Sequence, residues 1–305
     1  MPALSKSALA HILLLATAFV WGATFVLVKS ALGDASPLLF NLLRMAIATA
    51  ALVVINHRQL RAVTRPQLLA GAAAGLFLAA GYQFQALGLD RTTPTKSAFI
   101  TGLVVVFVPI LTLIPVLRPA STTRPGIASA AGAILAFAGL IFLTTPPGTT
   151  PANIFTTIGI GDILTLACAI AFAAHLLTLS HASKAMSPGL LGTLQIAFAA
   201  AFMLLTAPLQ HPHFVLTPRL VITLFITAIL GTAAAFTIQS FAQQVLPPTH
   251  TVILLTLEPV FAWLTSLIFL HEILGRRALL GAALILAGLA IIELLPGANA
   301  TEIPA

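Results

Sequence analysis

The chain has 305 residues, of which 59% are hydrophobic and only 7% are charged, and its mean hydropathy is +1.08. Soluble domains carry about a quarter charged residues, so this composition excludes an ordinary soluble domain. The 14 basic and 7 acidic residues are too few to cover the apolar surface of a water-soluble fold of this size. The sequence therefore predicts an integral membrane protein.

Uncharged apolar stretches long enough to cross a bilayer recur along the chain. They predict ten spans, at residues 10–30, 36–56, 67–89, 97–117, 126–144, 161–180, 188–208, 219–241, 250–271 and 278–295. Pro, Gly and charged residues gather between them, as in "TTPPGTTPANIF" and "HEILGRR". The segments are about twice as long as a barrel strand, so we expect helices, which satisfy their own backbone hydrogen bonds in hydrocarbon.

The first apolar run follows one basic residue, Lys6, as a secretory signal does. The run is too long for a signal core and has no clear cleavage site, so we expect it to remain as the first span. The single cysteine, Cys168, lies within the sixth span and permits no internal disulfide.

Basic residues in short loops predict the orientation. With the N-terminus inside, the first half has six cytoplasmic basic residues, namely Lys6, Arg58, Arg61, Arg65, Arg118 and Arg124. Three lie on the other side, namely Lys29, Arg91 and Lys96. In the second half more basic residues lie outside than inside, with Lys184 inside and Arg219, Arg276 and Arg277 outside. Because the first half usually dominates, we expect both termini in the cytoplasm of a bacterial cell, at the plasma membrane.

Two stretches of the chain are near copies, "GAILAFAGL" at Gly132–Leu140 and "GAALILAGL" at Gly281–Leu289. Other pairs recur at a similar offset and in the same order. They are "ATAF" at 16–19 with "AIAF" at 169–172, Tyr82 and Gln85 with Phe236 and Gln239, and "PTK" at 94–96 with "PTH" at 248–250. Short apolar strings can match by composition alone, but several markers in order favour a duplication.

An odd number of helices in each copy determines the geometry. A five-helix unit ends on the side opposite its start, so its copy lies inverted in the membrane, as in many secondary transporters. The fold class predicted is an all-α integral membrane protein with ten transmembrane helices in two inverted five-helix repeats. We place the first repeat at residues 1–147, an extramembrane linker at 148–160 and the second repeat at 161–305.

Several segments carry a family resemblance over essentially the whole chain. They include "FVWGATFVLVK", "LLRMAIATA", "TPTKSAFITGLVVVFVPIL", "GDILTLACAIAFAAH" and "LEPVFAWLTSLIFLHEILGRRALLGAALILAG". The chain resembles the EamA-type permeases of the drug/metabolite transporter superfamily. The resemblance implies transport of small metabolites such as amino acids without ATP hydrolysis. The first half departs from the pattern, since "LRPASTTRPG" stands where such repeats often carry an acidic residue like Glu272.

Charged groups inside a span cost about 2.5–3.5 kcal/mol on insertion scales and are functional candidates. Arg44 and Glu258 are the two strongest. For Arg44 the alternative is a snorkelling arginine near the interface, and for Glu258 a structural role beside Pro259. We predict ten substrate-binding candidates, namely Trp21, Arg44, Tyr82, Gln83, Gln85, Lys96, His175, Gln195, Gln239 and Glu258.

The other candidates also have structural alternatives. Lys96, which matches His250 at the start of the ninth span, can be a helix-end charge in water. His175 and the glutamines can join helices by hydrogen bonds, and Trp21 and Tyr82 can equally be packing residues. The small residues of "GAAAG" at Gly71–Gly75 predict a helix contact. Prolines 109, 115 and 259 predict bends in the fourth and ninth spans.

The sequence does not favour an enzyme. The "HE" of His271–Glu272 begins like a zinc-protease motif, but Gly275 replaces the second histidine. There is no G-x-S-x-G string, no P-loop and no cluster of acids for a metal, so we expect no cofactor and no metal. No basic stripe suggests nucleic-acid binding. We expect a secondary carrier whose partners are a small solute, membrane lipid and H⁺ as a candidate coupling ion. The alternatives are a lipid flippase or an intramembrane enzyme.

Overall fold

The computed structural model describes residues 5–118, 126–146, 148, 158–246, 251 and 254–294, except for the side chains of residues 129, 293 and 294. These residues are almost entirely helical, and an isolated antiparallel bridge joins Ala35 to Phe214. His250 lies outside the described residues.

Ten helical spans follow one another in the described residues, which confirms the predicted fold class. They are α1 (Lys6–Ala31), α2 (Pro37–Leu60), α3 (Arg65–Asp90), α4 (Pro94–Leu111), α5 (Ile127–Thr144), α6 (Ile160–Ala182), α7 (Pro188–Thr206), α8 (Pro218–Val245), α9 (Glu258–Leu270) and α10 (Arg276–Leu294). Within the described part of the chain, seven of these helices are long and apolar enough to cross a membrane, and α5 and α9 contain shorter apolar segments.

Ser-Pro and Thr-Pro dipeptides start several spans. Proline is well suited to the first turn of a helix because its missing N–H has no intrahelical partner there, while the preceding hydroxyl can accept from a free amide. Thr93 accepts from the Lys96 amide, Ser187 from the Leu190 amide and Thr217 from the Leu220 amide. The breaks between predicted spans therefore have a local chemical cause.

The bends fall at different places from those predicted. The α4 helix breaks at Gly102 and Leu103, seven residues before Pro109, and Pro115 begins a short 3₁₀ turn after the span. In the predicted ninth span the break falls at Thr256 and Leu257, so that Pro259 occupies the first turn of α9. Proline is tolerated there because no hydrogen bond has to be given up. The predicted kink at Pro259 is thus a helix start.

The two breaks are related by the duplication. Gly102–Leu103 and Thr256–Leu257 lie 154 residues apart, as do Gln85 and Gln239. The α8 helix carries a further irregularity, a π-helical segment at Ile229–Ala234. Interrupted helices are typical of transporters near their binding sites.

The near-identical copies pack against each other, α5 on α10. A Cβ on Gly132 would lie 2.5 Å from the Gly288 carbonyl oxygen, and one on Gly139 would lie 2.6 Å from that of Gly281. The pairing is antiparallel, because the first glycine of one copy meets the last glycine of the other. The repeated string is therefore a close helix contact that needs small residues on both sides.

The "GAAAG" string also forms the helix contact predicted for it. A Cβ on Gly71 would lie 2.6 Å from the Cβ of Leu194, and one on Gly75 would lie 2.6 Å from the Cβ of Phe198. This contact brings α3 of the first repeat against α7 of the second. The two repeats are therefore interleaved around a common centre.

The helix ends form two faces, which we name by one residue each. The Asp34 face carries the α1–α2 connection with Asp34, the α3–α4 connection and the α7–α8 connection with Phe214. The Ser183 face carries the α2–α3 connection and the α6–α7 connection with Ser183. Hydrogen bonds cross between repeats on both faces, from His213 to Ser36 and from Gln67 to Ala185.

Candidate functional site

A cavity lies at the centre, between helices of both repeats. It holds about 900 Å³ of space between the atoms, part of it open to the outside. Its polar lining residues are Trp21, Thr24, Asn41, Arg44, Tyr82, Gln85, Thr101, His175, Gln239, Thr256 and Glu258. The break within α4 and the break before α9 both border it, through Gly102 and Thr256. On α1 and α3 the cavity reaches Val28 and Leu89, close to the Asp34 face.

Arg44 is the most unusual group in this lining. It is only 3% exposed, although a guanidinium is always charged. Its Nε donates to Thr232 Oγ1 at 2.7 Å, and its Nη2 donates to the Tyr82 hydroxyl at 3.0 Å. The guanidinium carbon also lies 4.4 Å from the centre of the Tyr82 ring, a cation–π contact. None of these partners is an anion, so the positive charge is solvated but not neutralised by them.

The π-helical segment of α8 supplies a second set of contacts to Arg44. The Gly231 carbonyl oxygen accepts from Arg44 Nη2 at 3.1 Å and from the Trp21 ring N–H at 2.8 Å. A π-helix shifts the backbone hydrogen bonds by one residue, and such segments frequently occur at functional sites. Thr232 Oγ1, which accepts from Arg44, itself donates to the Thr227 carbonyl at 2.8 Å. The arginine is therefore held by an irregular segment of the opposite repeat.

Glu258 is the acidic group of the cavity. It is the first residue of α9, directly after the break, and its side chain lines the cavity. Among the described residues the carboxyl group has no ion pair, because the ion pairs found there join Lys96 to Asp162 and Arg219 to Asp34. The structural role considered for Glu258, bonding to backbone groups beside Pro259, has no hydrogen bond to support it in the described part of the chain.

Aromatic rings form the apolar wall of the cavity around Phe236. The Phe236 ring centre lies 5.3 Å from Trp21, 5.9 Å from Tyr82 and 5.6 Å from His175. Phe172 adds an edge-to-face contact to Tyr82 at 5.4 Å. Such pairs are rigid and well packed, so the wall can present a defined apolar surface to a ligand.

His175 lines the cavity but is held by a glutamine behind it. Its Nε2 lies 2.7 Å from Gln195 Oε1, and Gln195 Nε2 donates to Ser240 at 3.3 Å. With Gln195 Oε1 as the acceptor, the Nε2 of the ring carries a proton. Gln195 is fully buried and does not border the cavity, so the structure places it as a support for His175.

Seven of the ten predicted residues line this cavity, namely Trp21, Arg44, Tyr82, Gln85, His175, Gln239 and Glu258. The other three lie elsewhere. Gln195 supports His175, and Gln83 donates to Thr206 at 2.9 Å while it accepts from Asn41 at 3.1 Å. Lys96 pairs with Asp162 at 3.1 Å near the Asp34 face. Substrate contact by any of the ten stays a prediction.

Sequence reasoning missed several lining residues, among them Thr24, Asn41, Thr101, Phe172 and Phe236. Two signals were available for part of this set. Asn41 lies three residues before Arg44, on the same side of α2. Phe236 is the counterpart of Tyr82 in the duplication. Thr24 and Thr101 gave no such signal.

An ion pair fastens the two repeats on the Asp34 face, outside the cavity. Arg219 donates to Asp34 from Nη2 at 2.6 Å and from Nε at 2.8 Å, and Thr217 donates to the same carboxylate at 2.7 Å. The hydrogen bonds from Arg219 hold the pKa of Asp34 below its ordinary value. Backbone hydrogen bonds from Ser36 to His213 and from Val215 to Asp34 complete this connection, which we call the Asp34 clasp.

Two inverted helical repeats around a central polar cavity are the architecture of many membrane transporters. A model of the EamA-like transporter family matches residues 8–145 and again residues 159–294. The chain therefore belongs to the EamA-like transporter family. The boundaries predicted for the two repeats, and the linker at 148–160, remain predictions.

One curated protein and one solved structure are similar to this chain. An uncharacterized transporter from Archaeoglobus fulgidus is 33% identical over 280 residues, which cover 91% of this chain and 83% of the relative. A solved crystal structure superposes with a TM-score of 0.67 and covers 96% of this chain and 98% of its own. Its sequence identity is 19%, so that likeness shows the fold alone.

Proposed function

We propose that this transporter moves a small organic metabolite, such as an amino acid, across the bacterial plasma membrane by alternating access. The observation that carries the proposal is the central cavity, which both repeats line and which contains one buried arginine without an acidic partner among the described residues. Ligand cavities combine an apolar wall with a few placed polar groups, and this lining has both.

The chemistry of the lining favours a solute with an anionic group. Arg44 offers a guanidinium whose neutral partners leave its charge unpaired, and a carboxylate is the group that a guanidinium binds best. Glu258 lies in the same cavity and offers a site for a cationic group. The aromatic wall around Phe236 would contact the apolar part of such a solute.

The inverted duplication supports alternating access. Because each repeat has the sequence to adopt the conformation of the other, the two can exchange roles, so that the cavity opens first to one face and then to the other. Both termini are proposed to be cytoplasmic, which would place the Ser183 face in the cytoplasm. Proton coupling is proposed with Glu258 and His175 as the titratable groups in the cavity.

A screen of labelled solutes in proteoliposomes tests the proposal. Purified protein should accumulate at least one small metabolite with an anionic group, and an imposed pH gradient should change the rate of uptake. If the rate of uptake does not change with the pH gradient, the protein is a carrier without proton coupling. Movement of fluorescent lipid between leaflets, with no uptake of any solute, would instead identify a flippase and contradict the proposal.

A further inference from the structure

The duplication relates α3 to α8 residue by residue. Tyr82 and Gln85 correspond to Phe236 and Gln239, and all four border the cavity. One turn further along α3, Leu89 also borders it. The same step along α8 reaches Gln243, which lies on the same side of its helix as Gln239 but does not border the cavity.

Gln243 is an unusual residue for a packed position. It is 4% exposed, and neither its amide nitrogen nor its amide oxygen has a hydrogen-bond partner among the described residues. The Oε1 atom of Gln239 is unpartnered in the same way. A buried amide that has lost its hydrogen bonds to water and has no protein partner destabilises the packed state. The side chain of Gln243 therefore does not join helices by hydrogen bonds here.

An apolar cluster toward the Ser183 face includes Ala242, the residue before Gln243 in α8. Its fully or largely buried members are Ala10, Leu14, Ala242 and Leu246, with Leu254 and Leu255 packed against them. The cluster joins the start of α1 to the end of α8. Because these contacts are between small and apolar groups only, no ion pair or hydrogen bond within the cluster has to break when its members separate.

We infer that Gln243 contacts the solute on its way between the central cavity and the Ser183 face, a route that we call the Ser183 half-path. When the apolar cluster separates, the amide of Gln243 would meet water and the polar groups of the solute. Gln243 then has the same place on the Ser183 half-path that Leu89 has on the route from the cavity toward the Asp34 face. This inference rests on the proposed alternating access, because a cavity with a single opening would leave Gln243 dry.

Thiol accessibility tests this assignment. Cys168 is the single cysteine of the chain, so a Cys168→Ala background can carry one new cysteine at a time, at Gln239, Gln243 or Leu191. Leu191 is the matched control, because it is fully buried near the same face in a different helix contact. A membrane-impermeant methanethiosulfonate is added to one face of oriented vesicles and the rate of modification is measured.

The expected result is asymmetric. The cysteine of Gln243→Cys should react from the Ser183 face only, at least about 10-fold faster than that of Leu191→Cys, and the cysteine of Gln239→Cys should react from both faces. If Gln243→Cys is as slow as Leu191→Cys while Gln239→Cys reacts from both faces, the inference is overturned and the carrier stands. If Gln239→Cys reacts from one face alone, alternating access fails and the inference fails with it.

A second variant separates a path residue from a structural one. Gln243→Leu introduces the residue that α3 has at the corresponding position, Leu89. Since the amide of Gln243 has no partner among the described residues, the thermal midpoint in detergent should stay equal or rise. A midpoint several degrees lower would show that the amide makes a structural hydrogen bond, which would overturn the assignment.

Discussion

At the scale of single residues, Arg44 is the most unusual group in the lining of the cavity. A charged side chain inside a membrane protein is expensive, yet Arg44 is 3% exposed and its partners are hydroxyls, a carbonyl and an aromatic ring. The snorkelling role considered for it requires the guanidinium to reach the interface, but it is held instead between α3 and α8, beside the cavity. Its charge therefore has no anionic partner among the described residues.

Replacing Arg44 tests the proposed anion site. Arg44→Gln removes one charge-assisted interaction worth about 1.5–3 kcal/mol, so the apparent affinity for an anionic solute should fall roughly 10- to 100-fold. Arg44→Lys, which keeps the charge but not the planar fork, should lose less. Uptake kinetics in proteoliposomes measure both. Unchanged uptake by a correctly folded Arg44→Gln protein would remove Arg44 from the site.

Gly231 is predicted to control Arg44 indirectly. A Cβ at this position would lie 3.1 Å from Arg44 Nη2 and 3.5 Å from the Thr24 methyl group, so Gly231→Ala should displace the guanidinium by a few tenths of an ångström. We expect several-fold slower transport with little change in thermal midpoint. Gly33→Ala is the control, since its nearest neighbour would be 3.7 Å away. Equal transport by both variants would contradict this role.

At the scale of helices, close packing through glycine holds the two repeats together. The α5–α10 contact places Gly132 and Gly139 against Gly288 and Gly281, so that backbone meets backbone. At Gly139 the two atoms nearest to an added Cβ, the Gly281 carbonyl oxygen and the Ile285 nitrogen, belong to the backbone and cannot turn aside as a side chain can. In lipid, where the surrounding chains are as apolar as leucine, such van der Waals contact is a main source of helix association.

Gly139→Leu should therefore weaken the α5–α10 contact. Overpacking typically costs about 1–3 kcal/mol, and here it would also force two backbones apart. The thermal midpoint of the purified protein in detergent should fall by several degrees. Ala131→Leu places the same side chain on the exposed side of α5 and should leave the midpoint unchanged. A similar fall in both variants would show that lipid-facing packing, rather than the glycine contact, matters.

The Asp34 clasp should make stability depend on acid. The pKa of Asp34 is lower in the folded protein than in the unfolded chain, because Arg219 donates hydrogen bonds to the carboxylate. Its contribution is therefore fully present above the unfolded value, near 3.9, and is lost as the pH falls through the lower folded value. Between pH 7 and pH 5 Asp34→Asn should show a constant deficit in thermal midpoint relative to the native protein.

The same deficit should shrink toward pH 3 and below, as the native carboxylate becomes protonated. Arg219→Gln should behave like Asp34→Asn, since either change removes the pair. A deficit that stays the same at every pH would show that the ion pair contributes nothing to the clasp.

At the scale of the whole molecule, the inverted repeats fix which connections share a face. His271, after α9, and His213, before α8, should both lie on the Asp34 face, and Lys184 should lie on the opposite one. All three are exposed, so cysteines placed there, in a Cys168→Ala protein, report the topology to an impermeant thiol reagent. Labelling of positions 184 and 271 from the same side of intact cells would be incompatible with the three spans, α7, α8 and α9, that separate them.

The sequence by itself determined that this protein resides in the membrane and that it has ten spans and a duplicated pattern. Composition and span length depend only on how many apolar residues follow one another. The duplication is visible because the strings at Gly132–Leu140 and Gly281–Leu289 are still nearly identical. The Ser-Pro and Thr-Pro starts of α4, α7 and α8 were likewise visible as breaks, because capping and proline act within a few residues.

Only the tertiary structure decided which side of each helix meets the cavity. In a membrane protein the lipid-facing and packed sides are both apolar, so periodicity does not separate them. Neighbouring glutamines on α3 show the result, since Gln85 borders the cavity while Gln83 joins α2 to Thr206. The break before Glu258 and the π-helical turn that holds Arg44 also arise from packing between the repeats, which no local pattern records.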